Sequence, residues 1–262
     1  MNTQLDIEIM KSIPTIGFIS APAWFDPGPS EFPTVVEEDV QTQQAPLLLP
    51  EFDYSLTSIA AVQDELKLCA RSLKAMGCDL VAQVGSPFAW ACAGSEPEAR
   101  SRCDSIAASG HIATVMTSLA IVDGLRSLGV KKVAVNCTYY ESDWRDAFAS
   151  FLRMCGFDTR HVSTLSDQGL TESEAKMEDY GWSMTSELAS RSILAVAKAS
   201  PGAEAIIVTG AGTRTLDILT AMELQTKCPI IAADTILYWA IARELNLTLK
   251  PVMGSLAKLV KF

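Results

Sequence analysis

The sequence is poor in the residues that most often bind metal ions. Its 262 residues include only two histidines, and its seven cysteines are dispersed without a CxxC pair. Neither His111 nor His161 has a Cys, Asp or Ser at the spacing of a metal site or a catalytic triad, so we expect both to be structural and no metal to be bound. An odd, scattered set of cysteines in a chain of this size indicates reduced intracellular thiols.

Long apolar runs and basic clusters are also missing. No apolar stretch reaches about 18 residues, and no charged-then-apolar leader opens the chain, so we expect no membrane span and a cytoplasmic location. The 21 Lys and Arg are outnumbered by 31 Asp and Glu, which gives a net charge of −10. Because phosphate neutralisation needs clustered cations, this composition disfavours nucleic acid as a partner. The oligomeric state stays open.

One phrase of the sequence occurs twice. Residues 77–87 are echoed by residues 202–212, and in each copy a second glycine follows the first after eight residues (85 − 77 and 210 − 202). Each copy holds a continuous apolar run, which is typical of a buried parallel strand. Each run ends in a turn of small residues, where the backbone can approach a ligand closely. Two such turns predict two pseudo-symmetric lobes that face one small-molecule site.

The alternation of predicted strands and helices indicates an α/β fold. We expect each lobe to hold a parallel sheet with helices on both faces, and the site to lie between the lobes. The first lobe is placed at residues 1–129 and the second at 130–247, with 248–262 packing back on the first. The predicted strands are 13–20, 80–84, 112–116, 132–137, 158–164, 205–208 and 229–232. The predicted helices are 56–76, 97–109, a helix ending at 128, 143–154, 183–199, 216–224 and 236–245.

Two polar segments fall between these elements. Residues 21–30 are rich in proline, which predicts neither a helix nor a central strand but a rigid crossover or a lid over the site. Residues 166–181 are polar and acidic, which predicts a surface loop with a helical turn.

The turn Gly85-Ser86-Pro87 follows the first copy of the repeated strand. Its backbone N–H groups and the Ser86 hydroxyl could hold an oxyanion. The alternative is a tight turn without a chemical role.

The second turn, Thr209-Gly210-Ala211-Gly212-Thr213, precedes a predicted helix, whose free N–H groups would favour an anion. We expect Thr213 or Thr215 to be the N-cap of that helix. Arg214 either pairs with a carboxylate or is a surface charge. The segment lacks the GxGxxG spacing of a dinucleotide fold, and no Walker lysine is present.

Two tyrosines follow the predicted strand at 132–137. Tyr139 or Tyr140 could donate a hydrogen bond to an oxyanion, or either could be a packed aromatic. Cys92 and Cys137 are the cysteines nearest to the predicted site turns, and either is a candidate thiol or a small buried apolar residue.

The ordered set of these segments resembles the aspartate/glutamate racemase superfamily, and within it the branch of arylmalonate decarboxylases and maleate cis–trans isomerases. The resemblance runs from about Ile13 to Leu247. It is firmest from Gly124 to Tyr140, from Thr209 to Asp217 and from Cys228 to the alanines that follow it. It implies two pseudo-symmetric α/β lobes with the site between them and no metal or organic cofactor.

The resemblance also implies where this chain departs from its branch. Racemases and isomerases of the superfamily use two cysteines, which fall at Gly85 and Gly210 here, and the decarboxylases keep the second as a proton donor. Glycine can serve neither as acid or base nor as nucleophile. By the same resemblance, Ser86, Tyr140 and the N–H groups around Gly210 and Ala211 would stabilise an enediolate. Pro87 replaces a second hydroxyl.

These observations predict an enzyme that binds a small carboxylic acid without a cofactor. We expect Ser86, Tyr140 and Gly210 to act in catalysis, and substrate to contact a further set of residues. That set is Gly85, Pro87, Ala211, Gly212, Pro22 and Thr209. The proton donor is left open between a water, the Tyr140 phenol and a thiol such as Cys137.

Decarboxylation of a substituted malonate through an enediolate fits this site best. The alternatives are an isomerase or racemase with a relocated thiol and a carboxylate-binding relative without activity.

Overall fold

Two parallel sheets of four strands each form the framework of the computed structural model, which describes residues 13–22, 24–49, 52–171 and 184–259. The first sheet has the order β2-β1-β3-β4 and the second the order β6-β5-β7-β8, so both follow one pattern. The prediction of two pseudo-symmetric α/β lobes is therefore confirmed. The strands are β1 (Thr15–Ser20), β2 (Gln41–Pro46), β3 (Leu80–Gln83), β4 (Ala113–Met116), β5 (Lys132–Asn136), β6 (Asp158–Ser163), β7 (Ala205–Val208) and β8 (Ile230–Ala232).

Ten α-helices cover these sheets within the described ranges. They are α1 (Gly28–Val35), α2 (Leu56–Ala61), α3 (Gln63–Ala75), α4 (Pro87–Trp90), α5 (Glu96–Gly110), α6 (Thr117–Leu128), α7 (Ser142–Met154), α8 (Ser186–Ala199), α9 (Leu219–Thr226) and α10 (Ala233–Leu245). A kinked stretch of 3₁₀ turns follows at Pro251–Lys258.

Local sequence explains where several helices begin and end. The hydroxyls of Ser55, Ser95 and Thr185 accept hydrogen bonds from the first turns of α2, α5 and α8, so each is an N-cap. Gly129 ends α6 in the left-handed conformation that glycine adopts without strain.

The proline-rich segment was predicted to hold no helix, and that prediction is wrong for its last residues. α1 begins at Gly28, and Pro29 stands in its first turn, where no intrahelical N–H is needed. Pro33 lies inside the helix and cannot donate to the carbonyl of Pro29. The Thr42 hydroxyl on β2 donates to that carbonyl instead, at 2.8 Å.

Other elements also differ from the sequence prediction. β2 has the polar sequence QTQQAP and lies at the edge of its sheet, so no apolar run marked it. The long helix expected at 56–76 is divided at Val62, whose ψ of 23° interrupts the helical path. The loop expected at 166–181 and the start of the helix expected at 183 fall largely outside the described residues.

One hydrophobic core joins the two lobes. Alternate residues of β5 face opposite sides, so Val133 and Val135 belong to the shared core while Ala134 packs with α8 and α9 on the outer face. α6 and α10 each follow the last strand of their own sheet and pack against each other. α10 is buried almost throughout, including Trp239 and Tyr238 at 1% exposure. The lobes are therefore held together by a packed interface.

The chain after α10 returns to the first lobe before it reaches the second. The N–H of Lys250 donates to Val35, and the N–H of Glu37 donates to Thr248. The segment Pro251–Lys258 then packs on α9 and α10. The division of the chain at residue 129 stays a prediction. Within the described ranges, no helix combines the length and apolar character that crossing a bilayer requires.

The helix interface between the lobes depends on a small residue. A Cβ at Gly124 of α6 would lie 2.5 Å from Cδ1 of Ile236 on α10. We expect Gly124→Val to lower the free energy of unfolding in urea by about 1–3 kcal/mol through overpacking. Gly202→Val is the matched control, because no atom lies within 4 Å of a Cβ at this exposed turn. Equal losses of stability in the two variants would show that α6 and α10 move apart for the larger side chain without a cost in free energy.

Candidate active site

A cavity lies where the turn after β3 meets the loop after β5 and the turn after β7. Gly85, Ser86 and Pro87 form one wall, Tyr139 and Tyr140 another, and Ala211 completes the third. All three segments follow the carboxyl ends of parallel strands, where ligands bind in open α/β sheets. The two repeated turns of the sequence therefore converge on one space.

The Ser86 side chain is held as a hydrogen-bond donor. Its hydroxyl makes no cap to α4, although the residue precedes that helix. The indole Nε1–H of Trp90 donates to Ser86 Oγ at 3.0 Å, so the oxygen accepts there and its own proton is free to point elsewhere. The Trp90 ring is in turn packed against Phe148 and Phe151 of α7, with centroids 5.6 and 6.4 Å away. A helix of the second lobe thus fixes a hydroxyl of the first.

Two buried phenols face the same space. Burial raises the pKa of Tyr140 well above its usual range, and the hydroxyls of Ser86 and Thr209 offset this only in part. Burial likewise raises the pKa of Tyr139, whose oxygen accepts a hydrogen bond from the N–H of Gly212 at 3.2 Å. Both phenols stay protonated at ordinary pH, so Tyr140 can donate to a developing oxyanion.

The rest of the cavity is apolar. Ile59, Phe88 and Trp144 line it together with Ala21 and Tyr54. Phe88 is part of the cavity wall, whereas Phe25 of the proline-rich loop is largely exposed. The remaining lining residues were not identified from sequence, because α2 and α7 reach the cavity only through the tertiary fold. Ile59 is fully buried on α2, and its local sequence does not show which residues it packs against.

Both repeated turns contain a glycine that the backbone requires. Gly85 has φ +101° and Gly210 has φ +91°, in the region that side chains rarely adopt. A Cβ at Gly210 would lie 2.7 Å from the Thr138 hydroxyl and 2.8 Å from the Tyr139 ring, and one at Gly85 would lie 2.9 Å from Phe88. The surroundings of each position are thus closed to a cysteine side chain.

The same turns expose backbone donors. Within the described part of the chain, we find no acceptor for the N–H groups of Gly85, Ser86, Gly210 and Ala211. Unpaired N–H groups beside a hydroxyl and a phenol make a cradle for negative charge on oxygen. Every donor in this set is neutral.

The other predicted site residues lie around the cavity rather than in its wall. Gly210, Gly212 and Thr209 adjoin Ala211, and the buried Thr209 carbonyl accepts from the Thr138 hydroxyl at 3.1 Å. The Pro22 carbonyl accepts from the Tyr54 hydroxyl at 2.6 Å, so Pro22 contributes through a lining residue.

No cysteine lines this cavity. Cys137 is fully buried, and its pKa is raised far above the usual thiol range by that burial. Cys92 is exposed and has φ +56° just beyond α4. Neither candidate thiol is therefore placed to reach a ligand held by Ser86 and Ala211.

The predicted roles of the residues after Gly212 need correction. α9 begins at Leu219 with Ile218 before it, so neither Thr213 nor Thr215 is an N-cap, and no helix N-terminus faces the turn. The Thr215 hydroxyl donates to Asp234 at 2.8 Å instead. The helix predicted to start at residue 216 starts three residues later, because residues 216–218 form a turn.

Arg214 is a mostly buried ion-pair partner. Its guanidinium contacts both carboxylate oxygens of Glu31, and Nη2 donates to the Tyr238 hydroxyl at 2.7 Å. This partner lies 183 residues away in sequence, so no local pattern could show it. In the described residues, no group of three or more His, Cys, Asp or Glu side chains could hold a metal ion.

Comparison with known proteins places this geometry in a family. The family model for arylmalonate decarboxylase matches residues 16–257. The chain belongs to the arylmalonate decarboxylase family. No protein among curated sequences matches it.

Solved structures share the arylmalonate decarboxylase fold. An arylmalonate decarboxylase with two substitutions, in its liganded form, is 20% identical, with a TM-score of 0.78 over 93% of this chain and 98% of that chain. The maleate isomerase from Pseudomonas putida S16 is 17% identical, with a TM-score of 0.82 over 95% and 100% of the two chains. A maleate cis–trans isomerase variant from Nocardia farcinica, with a covalently bound succinylcysteine intermediate, is 17% identical, with a TM-score of 0.75 over 94% and 98%. At these identities the likeness shows the fold.

The closed surroundings of Gly210 can be tested by restoring a thiol. We expect Gly210→Cys to lower the free energy of unfolding by about 1–2 kcal/mol for the positive φ, and by about 1–3 kcal/mol more for the contacts with Thr138 and Tyr139. Gly156→Cys is the matched control, since Gly156 has φ +90° and no atom within 4 Å of a Cβ. Urea titration of both variants measures the difference. Equal losses would show that Thr138 and Tyr139 give way freely.

Proposed function

We propose that this protein is a cofactor-independent decarboxylase of a small, substituted malonate. The observation that carries the proposal is the cavity itself, where neutral donors of two lobes meet an apolar wall without a thiol. Membership of the arylmalonate decarboxylase family supports a small carboxylic acid as the substrate.

The arrangement fits the charge that decarboxylation develops. As carbon dioxide leaves, the electron pair of the broken C–C bond moves toward the remaining carboxylate and forms an enediolate. The Ser86 hydroxyl, the Tyr140 phenol and the N–H groups of Gly210 and Ala211 would bind its oxygens. Preorganised donors of this kind stabilise the charge that develops in the transition state more than they stabilise the charge of the bound substrate.

The apolar wall fits the leaving carboxylate. Ile59 and Phe88 offer it no hydrogen bond, so a carboxylate held beside them is less stable than the neutral carbon dioxide that it becomes. The same side chains offer apolar contacts to an aryl or alkyl substituent. This is why we favour a substituted malonate over the parent acid.

A test of the proposal measures carbon dioxide released from a panel of aryl- and alkyl-malonates. We expect Ser86→Ala to lower kcat by about 10²–10³-fold with the best substrate, the usual effect of losing one oxyanion donor. Ser118→Ala is the control, because the buried Ser118 hydroxyl has no partner among the described residues and does not line the cavity. Tight calorimetric binding of a malonate without turnover would instead identify a carboxylate-binding protein.

Thiol chemistry gives a second, independent test. Burial raises the pKa of Cys103 and Cys155 to about 12 and that of Cys228 to about 11, so these thiols stay protonated near neutral pH. We expect iodoacetamide at pH 7.5 to leave decarboxylation unchanged while intact-mass measurement follows the labelling. Loss of activity that a substrate analogue prevents would favour an isomerase or racemase with a relocated thiol.

A further inference from the structure

An acidic side chain that the decarboxylation scheme above does not use lies beside the candidate site. Asp26 belongs to the loop between β1 and α1 and is only 6% exposed. Its Oδ1 accepts a hydrogen bond from the N–H of Gly28 at 2.5 Å. Its Oδ2 is buried and has no hydrogen-bond partner among the described residues. A buried carboxyl oxygen without a partner is costly to keep, most of all when it is ionised.

Asp26 lines a second cavity that adjoins the first. This space is bounded by Asp26, Arg214 and Asp234, and also by Gly85 and Ala211. Gly85 and Ala211 line the first cavity as well, so the two spaces meet at the repeated turns. Since Gly85 carries no side chain, only the backbone of that residue can lie between them. A ligand bound at the turns therefore has Asp26 on one side.

The charges around Asp26 do not balance. Three carboxyl groups, those of Asp26, Glu31 and Asp234, surround the single guanidinium of Arg214. The phenols of Tyr139 and Tyr238 also face the group and are neutral. Because one cation cannot neutralise two buried carboxylates and a half-buried one, one of the acids is expected to hold a proton.

Hydrogen bonding selects which acid that is. Glu31 accepts from the Arg214 guanidinium and from the Tyr238 hydroxyl. Asp234 accepts from the N–H and hydroxyl of Thr215 at 2.7 and 2.8 Å and from the N–H of Thr235 at 2.8 Å. Asp26 accepts from a single N–H. The carboxylate with the fewest donors is the one that gains most from protonation.

We propose that Asp26 is the catalytic acid that protonates the enediolate, in place of the cysteine that the superfamily would have at Gly210. The assignment rests on the proposed decarboxylation. The C=C electron pair of the enediolate forms a new C–H bond with the Asp26 proton as the O–H bond breaks, which leaves a carboxylate product and an Asp26 carboxylate. Solvent returns the proton as the product leaves, so one proton is consumed for each carbon dioxide released.

The acid is tuned for this task. Burial raises the pKa of Asp26 to about 6, Arg214 opposes the rise, and Asp234 and Glu31 add to it. The proton-donating form is present below that pH and is lost above it. We therefore expect kcat to fall as pH rises through about 6 in the wild-type protein, and this limb to vanish in Asp26→Asn.

Product chirality is the decisive readout. The probe is a prochiral malonate with one aryl and one alkyl substituent on the central carbon. We expect the wild-type protein to give mainly one enantiomer, since Asp26 lies on one side. In Asp26→Asn we expect slower turnover and a racemic product, because water must supply the proton.

Glu31→Gln is the matched control. It makes the same acid-to-amide change in the same cluster, at a residue that does not line either cavity. It should keep the enantiomer and move the pH limb lower, since Glu31 raises the pKa of Asp26.

A stability measurement checks the protonation of Asp26 without any substrate. A folded-state pKa raised from 3.8 to about 6 means that the folded protein binds the extra proton between these values, so wild-type stability falls as pH rises across them. Asp26→Asn removes this loss. We expect its Tm to exceed that of the wild type at pH 8, and the advantage to disappear at pH 4. A wild-type Tm matching that of the variant at both pH values would overturn the protonated state.

The outcomes separate the two proposals. If the wild-type protein decarboxylates a malonate and Asp26→Asn keeps its rate and enantiomeric excess, Asp26 is not the acid and the decarboxylase stands. If no malonate in the panel releases carbon dioxide, the proposed reaction fails, and the role of Asp26 in it fails with it. Racemic product from Glu31→Gln as well would assign the effect to the cluster's charge rather than to Asp26.

Discussion

The candidate site depends on two glycine turns with φ near +90° to +100°, one at the end of β3 and one after β7. This backbone conformation changes the direction of the chain immediately after a buried strand. The turn leaves the neighbouring N–H groups without acceptors in the described chain and brings Ser86 and Ala211 to one cavity. A side chain at either glycine would also find no space, because Thr138, Tyr139 and Phe88 pack against the two glycines. The same backbone geometry thus frees the N–H donors and leaves no space for a thiol side chain at either glycine.

The aromatic contacts between the lobes keep those turns in register. Trp90 follows the first turn and packs against Phe148 of the second lobe, and Tyr140 packs edge-on against the same Phe148 ring with centroids 6.5 Å apart. A tilt of one lobe would therefore move the Ser86 hydroxyl relative to the Tyr140 phenol. Rigid support of this kind is what a preorganised oxyanion pocket requires. The buried interface of α6 and α10 provides the rest of that support.

Sequence alone could predict the elements that local patterns encode. The repeated phrase located β3 and β7, and continuous apolar runs marked the other buried strands within one or two residues. The sequence prediction missed β2, whose polar residues occupy a sheet edge. It also missed α1, where the distant Thr42 hydroxyl replaces the hydrogen bond that Pro33 cannot donate. In the site, the turns were recognisable, but the pairing of Arg214 with Glu31 and the burial of Asp26 were not. In the local sequence, Asp26 is simply an acidic residue in a proline-rich loop. The side chains of Arg214 and Asp234 that surround it come from about 200 positions later.

The acid that a site contains decides which reactions it favours. Racemisation needs a base strong enough to remove a proton from carbon, and a carboxylate whose conjugate acid has a pKa of about 6 is a much weaker base than a thiolate with an ordinary pKa of 9.0. Decarboxylation makes the carbanion by breaking a C–C bond, so it needs no base at all, only an acid to finish. A cavity with neutral donors, no thiol on its wall and a buried carboxyl group beside it is thus suited to a one-way reaction. Glycine at 85 and 210 thus favours protonation of a carbanion over its reverse.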